Sequence, residues 1–295
     1  MRRAALIYNP ASGRRRHRRR LGAIGAALAR GGIAAAPLAT AGPGDATRLA
    51  RELAAGGDVE AVIAFGGDGT VREVAAGLLG TAVPLGILPG GTVNLLALSL
   101  GLPADPVAAA AELGGLSARP LDVGLAGRSP FLMMASAGLD ASALAALGAL
   151  HPRWKASFGR GAVLWQGLRE WRRYRYPELR LVADGRPLAA TFATVANIPW
   201  YGGAFRLMPQ ARADDRRLDL LVFRGAGRAA TLSFAFDLLR SAHLRRRDVE
   251  VLAVEEVILE GPPEAAAQLD GDLCREPLPL RIRLAPERLQ VLAPL

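Results

Sequence analysis

Apolar residues recur along the first 120 positions in two alternating rhythms. Short runs at Ala4–Tyr8, Ala34–Leu38, Glu60–Phe65 and Leu85–Leu88 read as buried strands. Between them, Leu21–Arg30, Asp45–Ala55, Val71–Leu79 and Asn94–Leu100 carry apolar residues at helical spacing, the last ending at Gly101. Such alternation predicts a mostly parallel sheet with helices on both faces. After Leu121 the rhythm changes. Candidate strands then follow one another at Leu121–Leu125, Phe131–Ala137, Leu179–Ala183, Ala190–Asn197, Leu218–Phe223, Val249–Leu252 and Glu256–Glu260. Turn signals such as Asp184-Gly185 separate some of them. Helical segments near Ala141–Tyr174 and Arg228–Leu239 interrupt this β-rich part. The expectation is an α/β domain over 1–121 followed by an antiparallel, β-sandwich-like domain over 122–280. The last strand pattern, Leu280–Leu284 with Leu289–Leu292, can return to either, so 281–295 is a candidate to complete the first domain.

Val74–Ala104 contains no charged residue and is long enough to cross a bilayer. Pro84, Pro89, Pro103 and several glycines break it, and backbone groups freed at those breaks find no partner in lipid. It reads as helix, strand, loop and helix in a water-soluble core.

Composition narrows the chemistry. Thirty-seven basic residues face 27 acidic ones, a formal charge of +10, and Lys155 is the only lysine. A P-loop and a protein kinase each place a lysine at the phosphates. Lys155, in Trp154-Lys155-Ala156-Ser157, fits neither. Cys274 stands alone, which excludes an intrachain disulfide and a multi-cysteine zinc site. His17, His151 and His243 are too dispersed for a metal-binding helix. The N-terminus opens on a strand-like run rather than a secretory signal, so a cytoplasmic protein is expected. The charge alone suits nucleic acid, but no recognition motif accompanies it, and none is expected to bind.

Gly66-Gly67-Asp68-Gly69-Thr70 follows one strand pattern and precedes a helical one. Glycines there admit a ligand close to the backbone, and the helix points its free N–H groups at the loop, an arrangement suited to phosphate. Asp68 cannot bind phosphate directly but can hold a Mg²⁺ that does. A tight turn with a helix cap explains the same glycines. The second loop, Pro89-Gly90-Gly91-Thr92-Val93-Asn94, favours the phosphate reading, because it too follows a strand and precedes a helix. Asn9-Pro10-Ala11-Ser12-Gly13 is a third polar turn after a strand. In a parallel sheet these loops share the carboxyl edge, where ligands bind. The dinucleotide fingerprint is absent, since Arg72 stands where its third glycine belongs.

These residues resemble the diacylglycerol kinase catalytic-domain family, which includes bacterial lipid kinases and sphingosine kinases. The family carries an Asn-Pro-x-Ser-Gly turn, a Gly-Gly-Asp-Gly-Thr loop and a Pro-x-Gly-Thr-x-Asn loop in that order. Ala137-Gly138-Leu139-Asp140-Ala141, Asn197-Ile198-Pro199-Trp200-Tyr201-Gly202-Gly203, Asp214-Asp215-x-x-Leu218-Asp219 and Leu269-Asp270-Gly271-Asp272 are similar to its later segments. The resemblance implies a fold shared with NAD kinases and phosphofructokinases, with a Rossmann-like first domain and the nucleotide in the cleft between domains. It implies transfer of a phosphoryl group from ATP, with Mg²⁺, to the hydroxyl of a lipid, first of all diacylglycerol. It places Asp270 as the group that takes the hydroxyl proton, with Asp68 and Asp140 as further catalytic or metal-ordering residues. Asn9, Pro10, Ser12, Thr40, Gly66, Gly67, Asp68, Gly69, Thr70, Gly91, Thr92, Asn94 and Asp272 would serve the nucleotide. Asp215 and the carbonyl of Leu218 would share a structural Mg²⁺. On the residues alone, Asp270 is equally a β-turn aspartate before glycine.

Three positions depart from the family pattern. Leu95 follows Asn94 where an aspartate is common. Asp272 replaces a glutamate. Arg216-Arg217 occupy the usual glycine region. They keep open a catalytically weak nucleotide-binding or membrane-associated protein, and the Gly-Gly-Asp-Gly loop, shared with NAD kinases, keeps open an NAD-kinase-like enzyme. A lipid kinase must also meet a membrane without spanning it. Leu144–Tyr176 interleaves Trp154, Phe158, Trp165, Trp171, Tyr174 and Tyr176 with six arginines, which suits a lipid interface and equally suits packing on the β domain. Arg14–Arg20, six arginines around His17, is read as a phosphate-proximal patch, a membrane-facing patch or a solvated helix face. The expected partner is a lipid at a membrane surface, with peripheral attachment; a homodimer is compatible with the family.

Overall fold

A computed structural model describes residues 2–10, 14–91, 93–148, 165, 167–203, 205–263 and 265–294. Ser12, Thr92, Trp154, Lys155 and Phe158 lie outside them, as do the side chains of residues 14–19. The chain divides into two compact units, Met1–Val123 with Ala285–Leu295, and Gly124–Leu284.

The first unit runs β1 (Arg2–Tyr8), α1 (Arg14–Arg30), β2 (Ile33–Ala39), α2 (Asp45–Gly56), β3 (Ala61–Gly66), α3 (Asp68–Leu78), β4 (Leu85–Pro89), α4 (Leu95–Ser99), α5 (Pro106–Glu112) and β5 (Ser117–Leu121). The first four strands pair in parallel in the order β2-β1-β3-β4. Side chains alternate across this sheet. Leu6, Ile63, Phe65 and Leu88 meet Ile24, Ala27 and Leu28 of α1 and Ala109 and Ala110 of α5. The intervening Ala5, Ile7, Val62, Ala64 and Ile87 are equally buried and face the other side, where α2 and α3 pack. Helix α5 is absent from the sequence expectation. Its start is locally encoded: Asp105 accepts from Val107 N–H (3.0 Å) and Ala108 N–H (3.1 Å), and proline fills the first turn.

The second unit is all antiparallel apart from its helices. One six-stranded sheet has the order β10-β9-β16-β19-β6-β7, built from β6 (Gly124–Ala126), β7 (Ser129–Phe131), β9 (Leu179–Ala183), β10 (Arg186–Ala190), β16 (Glu256–Glu260) and β19 (Leu280–Leu284). The other, β15-β14-β11-β8-β17-β18, uses β8 (Met134–Ala137), β11 (Phe192–Ala196), β14 (Leu218–Phe223), β15 (Val249–Val254), β17 (Ala267–Leu269) and β18 (Asp272–Leu273). Phe131, Leu181, Val257 and Ile282 of the first interdigitate with Ala135, Val195, Leu220 and Leu269 of the second, a sandwich core. Helix α6 (Leu139–Gly148) and α7 (Gly227–Leu239) flank it, with a small hairpin of β12 (Trp200–Tyr201) and β13 (Phe205–Arg206). The final strand, β20 (Leu289–Ala293), returns to the first unit and lies between β4 and β5.

Two expected strands are each broken. Leu121–Leu125 divides into β5 and β6 around Asp122, a fully buried carboxylate paired with Arg288 at 2.9 Å. Phe131–Ala137 divides into β7 and β8 because Leu132 and Met133 leave the ladder, their N–H groups bonding the Asp270 carboxylate instead. The apolar Val74–Ala104 is the expected helix, strand, loop and short helix, and no helix among the described residues is long and apolar enough to cross a membrane.

Candidate active site

The strand order 2-1-3-4 reverses direction between β1 and β3, and loops leaving their carboxyl ends diverge there. A cavity of about 480 Å³ occupies this edge, lined by Asn9 and Pro10 after β1, Thr40 to Pro43 after β2, and Gly67, Gly69 and Thr70 after β3. Ala46 and Glu73 complete the wall. The expected Asn9, Pro10, Thr40, Gly67, Gly69 and Thr70 are therefore gathered at one place. The β2 loop is pinned: Thr40 N–H donates to Tyr8 O (2.9 Å), and Asp45 reaches back to accept from Ala41 N–H (2.8 Å). That bond, with Arg48 second, holds the Asp45 carboxyl below its usual range. Helices α2 and α3 both begin at this cavity, so their amino ends direct positive potential into it.

Gly66, Gly91 and Asn94 do not line the cavity; they build its floor. A Cβ on Gly66 would lie 2.6 Å from Thr70 Oγ1, and one on Gly91 would lie 2.9 Å from the Cα of Gly67. The two glycine loops thus touch backbone to backbone. Buried Asn94, in the left-handed region at φ 56°, clasps them. Its Oδ1 accepts from Gly91 N–H (2.7 Å) and its Nδ2 donates to Gly66 O (2.9 Å). Asp68 faces the same junction and accepts from Leu95 N–H through Oδ2 (3.3 Å). Its Oδ1 is buried with no hydrogen-bond partner. Burial raises the Asp68 carboxyl above its ordinary value, with the Leu95 and Leu96 N–H groups opposing. A hard, buried, uncompensated oxygen beside a phosphate-sized cavity suits a divalent cation.

The second unit holds two further carboxylates. Asp270 and Gly271 form the two-residue loop of the β17–β18 hairpin, both at positive φ (52° and 87°), the backbone that Asp-Gly favours. The Asp270 side chain is turned inward and only 8% exposed. Its Oδ2 accepts from Leu132 N–H (2.8 Å), and its Oδ1 from Met133 (2.9 Å) and Met134 (3.0 Å). Asn197 holds the carbonyls of the same segment, donating from Nδ2 to Leu132 O (2.9 Å) and from its N–H to Met133 O (2.8 Å). This is why β7 and β8 are separate strands. Asp270 is thus both the turn aspartate and a fixed buried carboxylate.

Asp140 opens α6. Its Oδ2 accepts from the Ser136 hydroxyl, from Tyr201 OH (2.7 Å) and from Gln268 Nε2 (3.3 Å), and its Oδ1 accepts from Ala141 N–H (2.7 Å). Burial first, and the Asp140 charge second, raise the Tyr201 hydroxyl well above its usual value, so it stays a donor. Gln268 also donates to Ser136 Oγ (2.6 Å) and accepts from Gly271 N–H (2.7 Å), which ties the Asp140 cluster to the Asp270 turn. Sequence reasoning missed Ser136 and Gln268. Asp140 and Tyr201 line a second cavity of about 310 Å³, otherwise walled mostly by apolar groups including Leu139, Phe192, Leu207, Phe234 and Leu238.

The remaining candidates stand apart. Asp272 is exposed on β18. Asp215 is exposed before β14 and accepts from Arg217 N–H (3.0 Å), while Leu218 begins that strand and offers only its carbonyl. Among the described residues, no three acidic, histidine or cysteine side chains form a metal-binding group there or elsewhere.

Two family models match the chain in succession. The Diacylglycerol kinase catalytic domain matches residues 3–126, and the YegS C-terminal NAD kinase beta sandwich-like domain matches 133–293. The chain is 30% identical to a diacylglycerol kinase of Bacillus subtilis over 92% of its own length and 90% of that protein. It is 34% identical, over 78% of itself and 75% of the relative, to a Chromohalobacter salexigens protein provisionally described as a YegS-like lipid kinase. A Bacillus anthracis crystal structure, provisionally described as a diacylglycerol kinase, superposes with a TM-score of 0.81 at 25% identity, covering 99% of this chain and 95% of the other. With two family models in succession and a diacylglycerol kinase 30% identical over 90% of that protein's length, the chain belongs to the diacylglycerol kinase catalytic-domain family.

Proposed function

We propose that the chain transfers the γ-phosphoryl group of ATP to the hydroxyl of a lipid, diacylglycerol foremost, as a peripheral enzyme at a membrane surface. The observation that carries the lipid acceptor is the apolar cavity with the Asp140 carboxylate in its wall. Its apolar lining suits an acyl segment, and the Asp140 cluster gives the polar end of the lipid a hydrogen-bonding wall.

ATP occupies the cavity of the first unit, its phosphates on the N–H groups of the glycine loops and the amino ends of α2 and α3. Asp68 would hold a Mg²⁺ through its buried Oδ1, and the ion would supply neutralisation of phosphate charge. Asp140, its oxygens fixed by Tyr201, Ser136 and Gln268, positions the polar end of the lipid, and the acceptor hydroxyl donates to Asp270. A bond forms between the acceptor oxygen and the γ-phosphorus, the bond from that phosphorus to the β-bridging oxygen breaks, and ADP leaves. The hydroxyl proton passes to Asp270. Such transfers proceed through a loose transition state, so a carboxylate fixed in position serves without being strongly basic.

The test is transfer of label from γ-labelled ATP to a panel of lipids in mixed micelles with Mg²⁺. Asp270→Asn and Asp140→Asn should each lower kcat at least about 100-fold, and only Asp140→Asn should also raise KM for the lipid. Undiminished labelling with Asp270→Asn would remove that residue from the proton transfer. ATP binding with no labelled lipid would overturn the lipid acceptor.

A further inference from the structure

Helix α7 is apolar on two faces, and only one is covered. Ala230, Phe234 and Leu238 pack on Leu207, Met208 and Phe223 of the sandwich. The opposite face carries Leu232, Phe236 and Leu239 at i, i+4 and i+7, which are 55%, 56% and 66% exposed. A surface helix normally has one apolar stripe, and a second one exposed to water marks a binding face.

The surroundings of this stripe select its partner. Residues 227–247 contain five arginines and one acidic residue. Arg246 pairs with both Asp237 (2.6 Å) and Asp248 (2.8 Å), which leaves that cluster one net negative charge. Arg228, Arg240, Arg245 and Arg247 are exposed. The Arg240 guanidinium stacks on Phe236 at 5.1 Å. The same pairing recurs nearby. Arg206 covers Trp200 at 5.0 Å on the hairpin beside α7, and Arg169 covers the exposed Trp165 at 5.3 Å. Arg228 bonds the carbonyl of Arg172, which joins the helical residues 167–173 to the start of α7. Aromatic rings capped by arginine suit the layer where hydrocarbon meets anionic head groups. The apolar cavity borders the same stripe, because Thr231, Ala235 and Leu238 line it and Ala235 is itself exposed.

We propose that this face of α7 docks the chain on an anionic lipid bilayer. Leu232, Phe236 and Leu239 enter the acyl layer, and Arg228, Arg240, Arg245 and Arg247 meet head-group phosphates. The purpose of docking, delivery of an acceptor to the adjacent cavity, rests on the lipid-kinase reading; the docking itself requires no turnover.

Co-sedimentation of the full chain with vesicles, without ATP, tests it. The wild type should partition onto phosphatidylcholine vesicles containing phosphatidylglycerol and leave them as salt rises. Leu232→Ser/Phe236→Ser should bind at least about tenfold more weakly at an unchanged melting temperature. Arg240→Glu/Arg247→Glu should also lose about tenfold or more. Wild-type chain that ignores anionic vesicles would overturn the proposal, as would Leu232→Ser/Phe236→Ser that binds like wild type. A wild-type dimer on size exclusion that these serines render monomeric would assign the stripe to a second copy and also overturn it. Phosphorylation of soluble dioctanoylglycerol by the same variants keeps the two readings apart. Unchanged phosphorylation with lost vesicle binding supports docking as a separate function. Vesicle binding without phosphorylation of any lipid supports docking and removes the kinase reading alone.

Discussion

Single polar side chains decide the geometry of the site, and their legibility differs. Asp68 and Asn94 stand in glycine loops that announce themselves, although nothing local tells that Asn94 clasps the loops together. Gln268 gives no signal. It sits between Ala267 and Leu269 in a strand buried on both faces, and its partner Ser136 is 132 residues away in sequence. Gln268→Leu should lower kcat about tenfold while KM for ATP is unchanged, because it frees both the Asp140 cluster and the Gly271 turn. Gln268→Glu places a second carboxylate against Asp140 and should move the acidic limb of the pH–rate profile upward. A profile that stays in place would leave Gln268 a purely structural group. Asp68 makes an opposite trade. Its folded carboxyl is raised by burial, so its charge weakens the native state. That loss is absent below the ordinary value near 3.8 and grows as pH rises through the raised folded value. Without Mg²⁺ at pH 7, Asp68→Asn should melt about 2 °C higher than wild type and should lose the stabilisation that Mg²⁺ gives the wild type. Calorimetry from pH 3 to 7, with and without the ion, reads both effects.

At the scale of elements, period-two and period-3.6 patterns located most strands and helices but not their interruptions. Phe131–Ala137 is apolar apart from Ser136, and it is broken by Asp270 and Asn197, both remote in sequence, which bond the backbone of Leu132 and Met133. Likewise the apolar positions of α7 predict a helix without revealing that two of its faces are apolar and one is bare. A polar cluster adds to the apolar seat of α7. Arg246 makes a side-on pair with Asp248, bonds Asp237 at 2.6 Å and Ser233 Oγ at 2.7 Å, and lies over Phe223. Both Arg246 hydrogen bonds lower the Asp248 carboxyl. A lowered carboxyl stabilises the fold above its unfolded value of 3.8, and that contribution disappears as pH falls through the folded value. Arg246→Ala should therefore cost about 2 kcal/mol at pH 7, with a smaller difference from wild type below pH 3. Arg246→Lys should rescue little, since an ammonium cannot reproduce the planar pair with Asp248. Urea denaturation at the two pH values provides the comparison.

For the whole molecule, the decisive feature is that the chain leaves the first unit and comes back. The final two strand patterns are both short and lie only about four residues apart, β19 alternating apolar and polar residues and β20 ending in the apolar run Val291-Leu292-Ala293. Period alone names a strand and not the sheet it joins, so the destination of each depended on tertiary pairing. β19 stays in the sandwich between β16 and β6, while β20 inserts between β4 and β5 and buries Leu289, Val291, Leu292 and Ala293. Asp122 and Arg288 meet beside this insertion, a buried carboxylate whose partner arrives from the far end of the chain. The two units therefore differ as folding units. Residues 124–284 are continuous and contain their own core, so that fragment should be soluble and melt cooperatively. Residues 1–123 lack the strand that pairs β5 with the sheet, and they leave the β4 edge open and remove Arg288 from the buried Asp122. They should aggregate or melt without a cooperative transition. Adding residues 285–295 as a separate peptide, or fusing them through a flexible linker, should restore a cooperative melt and ATP binding to the 1–123 fragment. A fragment 1–123 that melts cooperatively and binds ATP unaided would show that β20 only decorates the nucleotide unit, and the long return of the chain would then have to be explained by the sandwich instead.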